Sequence, residues 1–72
     1  MIDRAANRLE LEERERDVAL GQEAIDRLLL LANQLEFDGR RNAADKARAV
    51  LQSMLETHAL LVKGRDQLRG RI

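Results

Sequence analysis

Glu36-Phe37-Asp38-Gly39-Arg40-Arg41-Asn42 is the stretch on which the chain turns. Glycine adopts most readily the left-handed conformation that ends a helix, and Asn is a favoured N-cap. Gly39 therefore marks a helix stop and Asn42 a fresh start, with Asp45 three residues on in a capping-box-like spacing. The pattern predicts one helix over about residues 3–37, a turn over 38–42 and a second helix over about 43–69, forming a single domain. The first helix is expected to fray at its start, where residues 1–7 offer no continuous apolar face.

Outward from the turn, apolar and small residues recur in mirrored steps of three and four. Residues whose numbers sum to about 79 face each other: Leu35/Ala44, Ala32/Ala47, Leu28/Leu51, Ile25/Met54, Gly21/His58, Val18/Leu61, Arg14/Arg65 and Leu11/Leu68. That is the spacing of an antiparallel, coiled-coil-like seam. The fold class is all-α, an antiparallel two-helix hairpin.

Composition points the same way. The 72 residues contain no Cys and no Pro, and Phe37 is the only aromatic, which leaves little for strands, disulfides or thiolate metal sites. The longest apolar run, residues 28–32, is far below the roughly 20 residues that span a bilayer. The N-terminus shows no apolar signal region, so a cytoplasmic location and no membrane association are expected. Charge is balanced overall but segregated. Residues 1–36 hold nine acidic and five basic groups, and residues 37–72 hold eight basic and four acidic, so the two helices should attract each other.

The seam leaves apolar surface over. Leu20, Ala24, Leu31 and Val50 flank it on one side, and Leu29, Leu55 and Val62 on the other. Covering these groups at about 25 cal/mol per Å² would add several kcal/mol, on the scale of a small domain's whole stability. Chains of this size commonly gain such burial by oligomerising, and a homodimeric four-helix bundle is the simplest closure. Exposed Leu30, Leu60 and Phe37 are candidate contacts for a protein partner.

Gly21, Ile25, Leu28, Leu35, Gly39, Ala47, Leu51, Leu55, His58, Arg65-Asp66 and Leu68 together resemble a pattern found in uncharacterised small bacterial helical-hairpin proteins. The resemblance covers roughly residues 18–69 and implies the hairpin. Those proteins have no established activity, so it implies no site residues. A Thr often caps the second helix in them, where this chain has Asn42.

Chemistry-bearing residues are few. His58 is the only histidine; it is either a ring packed over Gly21 or a base or ligand, and a metal site would need further ligands that one hairpin lacks. Arg14 and Arg65 in one layer form either an ion-pair network with Glu10, Glu13, Asp17 and Asp66, or an anion-binding notch with Lys63 and Arg69. Arg40, Arg41, Lys46 and Arg48 gather near a helix N-terminus, where a phosphate would be favoured. Small RNA-binding bundles such as Rop share this architecture, though not this sequence. No nucleophile motif or phosphate loop has supporting context, and no catalytic, cofactor or metal residues are assigned. The expectation is a non-enzymatic interaction or regulatory module that self-associates and binds a protein partner; the alternative is a Rop-like nucleic-acid-binding dimer using the basic cluster.

Overall fold

The computed structural model describes residues 4–71. Two helices, α1 (Arg4–Phe37) and α2 (Arg41–Arg69), pack side by side as a helical hairpin measuring 58 × 15 × 12 Å. No strand occurs among the described residues. Contacts between the helices pair early α1 with late α2 and late α1 with early α2: Glu15 meets Arg69, Val18 meets His58, and Glu36 meets Arg48. The helix is continuous from Arg4, so the looseness expected for residues 1–7 does not apply from Arg4 onward; residues 1–3 lie outside the described residues.

The turn is shorter than the five residues predicted. It comprises only residues 38–40. Gly39 has φ +79°, the left-handed conformation expected of it. Around it the backbone closes a Schellman motif: the Gly39 N–H donates to the Glu36 carbonyl at 3.0 Å, and the Arg40 N–H to the Leu35 carbonyl at 2.8 Å. Arg40 then opens α2 at once, its carbonyl accepting from the Ala44 N–H at 2.9 Å.

The N-cap is consequently Arg40, not Asn42, and no side chain caps the helix. Asn42 sits inside the first turn of α2, where its own backbone is already helical, so the predicted capping box with Asp45 does not form. The cause is geometric. A Schellman stop leaves the chain pointing back along α1 by Arg40, and delaying α2 to residue 43 would move Ala44 away from its buried place in the seam.

Small residues bring the helices together near the turn. Ala32, Ala44 and Ala47 are buried, and among the described residues the only buried large apolar ones are Ile25 and Leu68. Leu11, Val18, Leu28, Leu35, Leu51 and Met54 are half-buried, as are Gly21 and His58. Leu61, predicted for the seam, is instead 39% exposed. Its predicted layer partner, Val18, has its carbonyl bonded to His58, so that ring takes the interior position at this level.

Replacing Gly39 with Ala should destabilise the hairpin by about 1–2 kcal/mol, because a Cβ disfavours the left-handed conformation. The check is urea unfolding of the variant; an unchanged midpoint would mean that the turn does not need the positive φ.

Candidate interaction surfaces

His58 and Gly21 set the middle of the hairpin. A Cβ on Gly21 would come within 2.7 Å of the His58 ring, so only glycine admits the imidazole here. The ring nitrogen Nε2 lies 2.8 Å from the Val18 carbonyl. Since a carbonyl oxygen only accepts, Nε2 carries the hydrogen, and in the neutral ring Nδ1 is the acceptor. Val18 belongs to the same helix as Gly21, so one side chain ties α2 to α1 both by shape and by a hydrogen bond. No group of three or more His, Cys, Asp or Glu is arranged to hold a metal among the described residues.

A shallow groove of about 260 Å³ opens beside this contact. Gly21, Ile25, Val50, Met54, His58 and Leu61 line it, with Ser53 and Thr57 supplying two small hydroxyls. Leu20, Leu31 and Val50 are 56%, 51% and 53% exposed. On a helix of 3.6 residues per turn, Leu20, Ala24 and Leu31 fall on the side of α1 next to the groove. They make one continuous apolar face with Val50 and Leu61. Ala24 is half-buried. Leu61 belongs to this face, and sequence periodicity could not separate it from the seam because it lies between the two arcs.

The opposite face is smaller and bounded by charge. Leu29 and Leu55 are 46% and 44% exposed and Val62 is half-buried. Beyond them toward the turn, Arg48 donates to Glu36. Toward the open end, Arg69 donates to Glu15 at 2.8 Å. The two bridges join the helices on this side. Leu30 and Phe37 project away from both faces at 70% and 87% exposure.

The basic cluster at the turn is only partly available. Arg40, Arg41, Lys46 and Arg48 are all exposed, but Arg48 is committed to Glu36. Its hydrogen bond and charge, with a smaller contribution from Arg41, hold the Glu36 carboxyl below its ordinary range. At the far end, Arg14 and Arg65 each have a carboxylate partner on their own helix. The Arg14 guanidinium lies over Gly64 and pairs with Glu10 at 2.8 Å, while Arg65 pairs with its neighbour Asp66 at 3.0 Å. Gly64 thus gives Arg14 room, as Gly21 does for His58. Of the predicted network, Glu10 and Asp66 take part and no ion pair reaches Glu13 or Asp17 among the described residues. For the notch reading, Arg69 is engaged by Glu15.

Among the described residues no helix is long and apolar enough to cross a membrane. No family model, curated protein or solved structure matches the chain.

Two outcomes follow. Gly21→Ala should destabilise the hairpin by displacing His58. In a His58→Ala background the same change should stabilise it, by up to about 1 kcal/mol of helix propensity. A double-mutant cycle by chemical denaturation reads the sign change, and equal effects in both backgrounds would contradict the packing. Glu36, lowered in the fold, contributes stability at pH values above the ordinary Glu value of about 4.3, lost as pH falls through the lowered one. Glu36→Gln should therefore flatten the acid side of the stability–pH curve, measured by thermal unfolding.

Proposed function

We propose that this chain is a non-enzymatic helical interaction module that self-associates, with a regulatory role exercised by binding a protein partner. One observation carries the reading. Among the described residues ten large apolar side chains are exposed, against two large ones buried, so much apolar surface of the hairpin is left for a cover. Full burial of a Leu or Val contributes about 1.5–3 kcal/mol relative to exposure, so covering the exposed half of Leu20, Leu31, Val50 and Leu61 contributes about 3–6 kcal/mol per chain, comparable to the lower end of a small domain's stability.

A second copy presents the same face and so is the cover that is always at hand. Closed two-fold pairing of two hairpins yields a four-helix bundle in which each helix gains a second apolar neighbour. Leu28, Leu51 and Met54, half-buried in one hairpin, become interior. Leu30, Leu60 and Phe37 remain outside the bundle's centre and are the contacts for a different protein.

Sedimentation equilibrium at micromolar concentration should give twice the chain mass, and Leu20→Glu combined with Leu31→Glu should weaken association at least tenfold. A folded monomer for the unaltered chain would remove self-association from the proposal.

A further inference from the structure

The proposed self-association leaves open how two hairpins lie on each other. A two-fold axis in the plane between two stacked faces allows two arrangements. With the axis along the hairpin, both turns lie at the same end and each α1 rests on the partner's α2. With the axis across it, the turns lie at opposite ends, α1 rests on α1 and α2 on α2.

Charge separates these cases. Within its helical bounds α1 carries eight acidic and five basic residues, while α2 carries six basic and three acidic, so the helices have opposite sign. Stacking α1 on α1 sets two helices of net negative charge together, and α2 on α2 two of net positive charge. It also brings Glu13 level with the partner's Asp38. Stacking α1 on α2 gives each helix two neighbours of opposite net charge.

The apolar face accepts this arrangement without a shift. Leu20 is level with the stretch between Thr57 and Leu61, so the partner's Leu20 falls at the groove beside His58. Leu31 is level with the residues just before Val50 and covers that side chain in the same way. The other face, between the Glu36–Arg48 and Glu15–Arg69 bridges, has its edges already neutralised within one hairpin. We propose that the Leu20–Leu31–Val50–Leu61 face is a homodimer interface in which two hairpins stack with their turns at the same end, α1 on α2. This rests on the self-association reading and adds its face and its orientation.

The chain has no native Cys, so a single Asp38→Cys variant can carry one nitroxide label at each turn. With helix axes about 10 Å apart, same-end turns should give a label separation under roughly 25 Å by pulsed electron paramagnetic resonance. Opposite-end turns would lie on the order of 40 Å apart, from the 1.5 Å rise per residue to the centre of the face. Sedimentation of the same labelled sample distinguishes the failures. A dimer with the short distance supports the proposal. A dimer with the long distance overturns the orientation and leaves self-association standing, and a monomer overturns both. Leu20→Glu should dissociate the dimer while Leu29→Glu leaves it intact; the reverse pattern would assign the interface to the opposite face.

Discussion

Two helices share one line of contact, and each of these helices has an apolar arc wider than that line. This mismatch governs the molecule. The residues that fit the seam closely are small, Ala32, Ala44 and Ala47, so the helices come near each other without burying much aliphatic volume. The larger residues sit at the margins, half-covered. A hairpin built this way has a defined register and a thin core, and its remaining apolar surface is divided into two faces of unequal size.

Register comes from contacts with directional content, since a row of Ala can slide. Gly21 admits the His58 ring and nothing else of that bulk, and the ring's hydrogen bond to Val18 holds its height along α1. Gly64 does the same for Arg14 near the open end, and the Schellman turn sets the origin. Helical glycines usually weaken a helix; here they are placed where a long or flat side chain from the other helix must cross. The interhelix ion pairs lie on the smaller face and seal its ends. The broader face, with the groove, has no such closure.

Much of this was legible from residue spacing alone. The mirrored steps of three and four gave the two helices, the seam and the Gly21/His58 contact, because a 3.6-residue period projects apolar positions onto one line. Gly39 was legible because glycine is the cheapest residue at positive φ. The start of α2 was not, since Asn42 carries a strong capping preference that the backbone overrides: the Schellman closure hands the chain straight to Arg40. Leu61 was not separable from the seam because its position lies between the seam arc and the groove face, and it is 39% exposed. Charge segregation was visible from the start, but its use as a guide to stacking required knowing which face is left uncovered.

The central claim is that the hairpin's exposed apolar face is completed by a second copy. The most direct measurement is thermal unfolding followed by circular dichroism over a hundredfold range of protein concentration. Coupled folding and association should raise the midpoint steadily with concentration. A midpoint independent of concentration, with a folded monomer at the lowest concentration, would contradict it.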